Sequence, residues 1–135
     1  MNIQRIVAVW FGLGVFGQAV LAHAQEGASG PLGVWRGNSS CLVRPSACND
    51  ENVVYRITRA PSRDSVAFDA RKIVNGKEVE MGVLRCRVAS PGTQITCAIP
   101  NGVWHFSIRG DSLVGELRLS DSTRFRDVRT ARSRE

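Results

Sequence analysis

Short runs in which apolar and polar residues alternate recur along most of this chain. Val53, Tyr55 and Ile57 share one face of one run, and Val66 and Phe68 share one face of the next. A period of two is typical of a β-strand with one face against a core. We find no convincing helical period, so the pattern predicts an all-β protein.

The dipeptide Asn75-Gly76 is the strongest hairpin signal in the sequence. A two-residue type I′ turn needs a positive φ at both central positions, which asparagine and glycine tolerate best. Pairing across this turn places Ala70 opposite Met81 and Phe68 opposite Val83. Val79, Met81 and Val83 are therefore predicted to point inward.

The apolar alternation changes phase after this segment, because Leu84, Cys86 and Val88 occupy even positions. A shift of one residue reconciles the two phases, and a glycine readily occupies a β-bulge. We therefore predict a bulge near Gly82.

Two further turns fix the pairing of the strands that follow. A four-residue loop at 90–93 sets Cys86 opposite Cys97 at a non-hydrogen-bonded position, where side chains approach closely. The dipeptide Gly110-Asp111 sets Phe106 opposite Gly115, which leaves room for the phenyl ring. Glycine at the first central position favours a type II′ turn there.

About eight short strands are expected, with the first at 32–37 and the last at 123–129. Residues 38–52 are interpreted as a loop. In the last strand, Phe125 is expected to point inward, with Arg124 and Arg126 outward. Antiparallel hairpins at this spacing indicate a small up-and-down barrel, whose closure removes exposed edges. Two disulfides are expected to staple it.

The N-terminal residues have the features of an export signal. Arg5 precedes the apolar stretch 6–21, and Ala22-His23-Ala24 resembles a cleavage site before Gln25. The stretch is shorter than the roughly 20 residues that a membrane anchor needs. We expect a secreted or periplasmic protein without a transmembrane anchor. Its predicted organisation is a signal peptide at 1–24, a loose lead-in at 25–31, a barrel domain at 32–129 and a frayed basic tail at 130–135.

Four cysteines lie in the part that would be exported, where disulfides persist. The hairpin register favours Cys86–Cys97, which leaves Cys41–Cys48 as the second bond. The two other connectivities require the early loop to reach that hairpin. A zinc site is the alternative, but no histidine accompanies these cysteines and their spacing is not that of paired Cys-x-x-Cys knuckles.

Gly33-Val34-Trp35, followed by an antiparallel meander of eight strands, resembles the lipocalin-like (calycin-type) barrels, especially short forms exported by bacteria. In those barrels the Gly-x-Trp lies at the closed end and an arginine of the last strand stacks on the indole. The resemblance implies that Arg124, Arg126 or Arg129 occupies this position. It also implies a ligand held inside the barrel.

The large aromatic residues fall on inward faces, which allows two interpretations. They either line a cavity for a small apolar ligand or fill the interior, as side chains do in small eight-stranded barrels. The candidate ligand-binding residues are Trp35, Tyr55, Phe68, Met81, Trp104 and Phe106. A void of about 300 Å³ or more would favour the ligand.

The alternative function is protein binding, for example inhibition of a secreted or cell-wall enzyme, through the loop between Cys41 and Cys48. That loop is stiffened by its disulfide and by Pro45, so it would lose less entropy on docking. An ordered, projecting loop above a packed interior would favour this function.

Catalysis, a metal and a cofactor are not expected. His105 is the one histidine outside the predicted signal, and no carboxylate is predictable beside it and Ser107. The net charge is +6, or about +5 without Arg5. The C-terminal arginines suggest weak contact with an anionic envelope surface, or simply a charged edge. We expect a monomer that binds no nucleic acid.

Overall fold

The computed structural model describes residues 30–89 and 91–135, so the predicted signal peptide lies outside the described residues. Eight antiparallel strands form a closed barrel in chain order, with β8 paired to β1, and the described residues contain no helix. The predicted fold is confirmed. The strands are β1 (Gly33–Cys41), β2 (Glu51–Arg59), β3 (Ser65–Val74), β4 (Lys77–Ala89), β5 (Gln94–Ile99), β6 (Gly102–Arg109), β7 (Ser112–Leu119) and β8 (Arg124–Ser133).

The first strand is longer than predicted. Residues 38–41 belong to β1 and not to a loop, since they pair with β8. Within this segment, Ser39 and Cys41 point into the barrel and are buried. The strand was not predicted here because its inward-facing side chains are small or polar, and the prediction relied on large apolar residues.

The last strand is also longer, and its predicted phase was wrong. β8 continues to Ser133, beyond the expected end of the barrel at 129. Val128 and Thr130 are buried, and the Thr130 hydroxyl donates to the carbonyl of Leu113 at 3.0 Å. The register shifts at Phe125, which is half-buried. Arg124 before the shift is exposed, as predicted, whereas from Arg126 onward the even-numbered positions face the interior, so Arg126 points inward, contrary to the prediction.

The predicted bulge in β4 is confirmed. Gly82 pairs with Ala70 whereas Glu80 pairs with Arg71, so Met81 is the extra residue. Gly82 has φ of 138°, a conformation that side-chain-bearing residues rarely adopt. The exact pairing predicted for Ala70, with Met81, was wrong by one residue.

The displaced bulge changes which side chains of β4 face the interior. Phe68 pairs with Leu84 and not with the predicted Val83. Val83, expected to point inward, pairs with Asp69 on the outer face and is 58% exposed. Val79 pairs with Lys72 on the inner face, yet it is 42% exposed, as is Met81, the extra residue.

The turn predictions hold elsewhere. Asn75 and Gly76 both have positive φ, at 51° and 76°. Ala89 pairs with Gln94, which leaves the predicted four-residue connection. Phe106 pairs with Gly115, and a Cβ at Gly115 would overlap the Phe106 ring.

Both expected disulfides are present, Cys41–Cys48 and Cys86–Cys97. The Cα atoms of the second pair are 4.3 Å apart, which fits a non-hydrogen-bonded cross-strand position. Disulfides of this kind are typical of proteins in oxidising compartments outside the cytoplasm.

Trp35 forms the floor of the barrel. Its side chain is fully buried, and its Nε1 donates to the carbonyl of Pro31 at 2.9 Å. The guanidinium of Arg132 lies 4.2 Å from the ring centroid and also donates to the carbonyls of Leu32 and Gly30. The stacking arginine is thus Arg132, and not one of the three expected from the resemblance.

Within the ranges 30–89 and 91–135, we find no helix with the length and hydrophobicity needed to cross a membrane.

Candidate apolar binding site

A cavity of about 200 Å³ lies inside the barrel beneath the bulge of β4. Five of the six predicted ligand-binding residues line it together. Three further lining residues were not predicted as ligand-binding: Ala70 and Leu84, which face inward, and Gly82 at the bulge. The lining comprises Tyr55, Phe68, Ala70, Met81, Gly82, Leu84, Trp104 and Phe106.

The aromatic rings of the lining form one continuous stack. Phe106 lies between Phe68 and Trp104, with ring centroids 4.9 Å and 5.3 Å away and nearly parallel planes. Tyr55 meets Phe106 edge-on at 6.1 Å. These contacts hold the rings in fixed positions, so one wall of the cavity is preformed.

Trp35 was predicted to contact the ligand, but it does not line the cavity. Its indole is covered by Arg132 and by the segment 30–32 at the closed end of the barrel. With no exposed surface, it supports the barrel and is not available to a bound molecule.

Polar residues lie above the aromatic stack, inside the other end of the barrel. Arg126 and Lys72 both contact Glu51, at 3.5 Å and 3.3 Å. Tyr55 is nearby, and its burial raises the pKa of the hydroxyl, an effect partly opposed by the charge of Arg126. The phenol therefore stays neutral and contributes a mostly apolar surface.

Arg126 also fixes the disulfide loop. Its Nη2 donates to the carbonyl of Asn49 at 3.0 Å and lies 2.9 Å from the sulfur of Cys48. Nη1 donates to the Ser39 hydroxyl at 2.9 Å. The loop therefore has a defined position, and Leu42 at its start is 42% exposed.

The cavity lies next to the part of β4 that does not pair with β5. Only Arg87, Val88 and Ala89 of β4 pair with β5, and the Cys86–Cys97 disulfide closes the ladder there. No residue of β5 lines the cavity, whose walls come from β2, β3, β4 and β6. The part of β4 that does not pair with β5 therefore borders the cavity through Met81, Gly82 and Leu84.

Three larger depressions are less apolar, and one of them, of about 320 Å³, is lined by polar residues such as Asn38 and Asn52. A groove of about 670 Å³ at the closed end is bordered by the loop 60–64, and its lining mixes charged side chains such as Arg59 and Arg63 with apolar residues. A depression of about 440 Å³ on the outer face of β6, β7 and β8 is lined by charged side chains. The linings of these two depressions contain charged side chains, so neither offers the apolar surface of the aromatic cavity.

The outer depression contains His105 and Ser107 without a catalytic arrangement. The Ser107 hydroxyl donates to Gln94 at 2.9 Å, and Glu116 opposite His105 is bound by Arg118 and Arg124. A nucleophile must be hydrogen-bonded to its base, and these groups are not. Among the described residues, no three histidine, cysteine or acidic side chains cluster in a way that could hold a metal ion.

Comparison of this chain with protein-family models, with curated proteins and with solved structures gives no match.

Proposed function

We propose that this protein binds a small apolar group in the aromatic cavity and acts as a non-catalytic binding protein. The observation that carries the proposal is the cavity of about 200 Å³, lined by four aromatic rings and by Met81, Gly82 and Leu84 of β4. Apolar cavities of roughly 150 Å³ bind benzene in other proteins, whereas drug-sized ligands need roughly 300 Å³ or more. The cavity is smaller than the roughly 300 Å³ expected for a ligand of ordinary size, so the proposal is restricted to one ring or one short aliphatic chain.

Titration with toluene, followed by NMR of the ¹⁵N-labelled protein, tests this proposal. We expect saturable shifts confined to residues around Phe68, Leu84 and Phe106. Ala70→Leu places a larger side chain in the cavity and should abolish the shifts. Ala67→Leu, on the outward face of the same strand, is the control and should leave them unchanged. Equal shifts in both variants, or none in the wild-type protein, would refute the proposal.

The proposed setting is outside the cytoplasm, after removal of residues 1–24. Two disulfides support export. A lipocalin-like relationship is supported by the position of Trp35 in the first strand and by its stacking partner in the last. Mass measurement of the protein from the periplasm or culture medium tests export, because the cleaved chain should begin at Gln25.

A second candidate function is protein binding through the loop between Cys41 and Cys48. It is favoured by the bonds that Arg126 makes to the loop and by the exposure of Leu42. A photo-crosslinking residue at Leu42 should then capture one defined secreted protein in the envelope fraction. The same residue at Ser112, in the β6–β7 hairpin, should not.

A further inference from the structure

β4 has a free edge directly beside the cavity. Residues 77–85 pair with β3 on one side, whereas pairing with β5 on the other side begins only at Arg87. We call this segment the open edge (residues 77–85). Unpaired backbone groups at a sheet edge can accept a further strand.

The side chains of the open edge are unusually apolar for a surface. Val79, Met81 and Val83 are 42%, 42% and 58% exposed, and Val74 of the same hairpin is 42% exposed. Among the described residues, the one other large hydrophobic side chain with such exposure is Leu42. Val79 pairs with Lys72 on the inner face and Val83 with Asp69 on the outer face, so the edge is apolar on both faces. Exposed apolar side chains grouped along one strand often mark a binding surface.

We propose that the open edge binds an extended polypeptide segment of a partner protein, one of whose apolar side chains enters the cavity. This inference rests on the proposed function of the cavity and names its ligand class. Strand addition combines main-chain hydrogen bonds with pockets for alternate side chains. Here Met81, Gly82 and Leu84 belong both to the open edge and to the cavity lining, so one strand could satisfy both.

The charges on the open edge specify the partner further. Glu78 is already bound by Arg56 and Arg36. Glu80 has no ion-pair partner among the described residues. A lysine or arginine next to the inserted side chain would face Glu80, as Arg71 does from β3.

A second copy paired antiparallel over 77–83 would set Glu80 opposite Glu80, and like charges directly opposite are unfavourable. A basic peptide is therefore preferred over self-association.

The probe is the peptide acetyl-Thr-Val-Phe-Lys-Val-Thr-amide, titrated into the ¹⁵N-labelled protein. We expect it to slow amide exchange along the open edge and to compete with toluene. Replacing its Phe by Ser should weaken binding by about tenfold or more, because a buried aromatic side chain is lost. Replacing its Lys by Glu should weaken binding about two- to fivefold, and Glu80→Lys in the protein should reverse that preference.

The toluene and peptide titrations together separate the peptide inference from the proposed function of the cavity. Toluene binding without peptide binding overturns the peptide inference alone, and the absence of both overturns both. Peptide binding that Ala70→Leu does not affect also overturns it, because the peptide would then lie elsewhere. Slowed exchange of the open edge with phosphatidylglycerol vesicles, and not with the peptide, would overturn it in favour of a lipid surface.

Discussion

Tyr55 is the only tyrosine in the chain, so its ionisation can be followed without interference. Its side chain is almost fully buried in the aromatic stack, and burial raises the pKa of the hydroxyl above its ordinary value of 10.0. The neutral phenol is favoured in the folded state. Its contribution to stability is therefore complete below pH 10 and is lost as the pH rises further.

We predict that the tyrosinate absorbance at 295 nm of the folded protein stays flat through pH 10 and rises only at higher pH. The same protein unfolded in urea should titrate near pH 10. Tyr55→Phe should abolish the signal and reduce the loss of stability above pH 10. A folded-state midpoint at 10 would mean that the hydroxyl is solvated and that the stack is not formed as described.

Single residues also illustrate what the sequence could reveal about the site. Phe68, Trp104 and Phe106 were identified because large aromatics alternate with polar residues next to recognisable turns. Arg132 could not be identified as the partner of Trp35, because an arginine stacked on an indole looks like any surface arginine in a sequence. Its contact with the indole depends on the phase of β8 after residue 125, and the register shift there reverses the phase that Phe125 indicates.

At the scale of elements, Arg126 links three parts of the open end: β8, the glutamate at the start of β2, and the disulfide loop. It is 13% exposed and contacts Glu51, Ser39 and Asn49. Removal of one partner from a buried polar network leaves the others unsatisfied, which typically costs about 1–3 kcal/mol for a buried group. The position of the loop therefore depends on this one side chain.

We predict that Arg126→Leu lowers the free energy of unfolding by about 1–3 kcal/mol and accelerates amide exchange in the loop 42–50. Arg124→Leu, on the same strand, is the control. That arginine is 52% exposed in its pairs with Glu116 and Asp127, so its loss should change stability by less than about 1 kcal/mol. Equal effects of the two substitutions would contradict the role assigned to Arg126.

Hairpin registers were predictable because Asn75-Gly76 and Gly110-Asp111 specify their turns by backbone conformation. Among these hairpins, the register was predicted wrongly only in β4, where the residues near the bulge do not by themselves determine which strand positions pair. The phase change in β4 indicated that a bulge exists, but whether Met81 or Gly82 is the extra residue depends on the positive φ that the folded strand imposes. Residues 38–41 were missed because Ser39 and Cys41 are buried through packing and a disulfide.

At the scale of the whole molecule, closure of the barrel depends on the junction of β4 and β5. Three residue pairs and the Cys86–Cys97 disulfide hold that junction. The other disulfide lies at the far side of the open end and cross-links a loop to its own strand. The two bonds therefore contribute differently, although their loops are similarly short.

We predict that replacing Cys86 and Cys97 together by serine lowers the free energy of unfolding by about 2–4 kcal/mol and abolishes toluene binding. The junction would open, and the wall of the cavity formed by Leu84 would separate from Phe106. Replacing Cys41 and Cys48 together should also destabilise the protein but leave the affinity for toluene within about twofold, provided that it is measured where both variants are folded. Loss of binding in both would contradict this division.

The proposed function requires an accessible apolar cavity inside the barrel beneath the bulge of β4. Diffraction from a crystal pressurised with xenon tests it most directly, because apolar cavities of this size take up xenon and remain free of ordered water. We predict a xenon peak enclosed by Phe68, Leu84 and Phe106, and its loss in Ala70→Leu. Ordered water in that space, or side chains that fill it, would contradict the account.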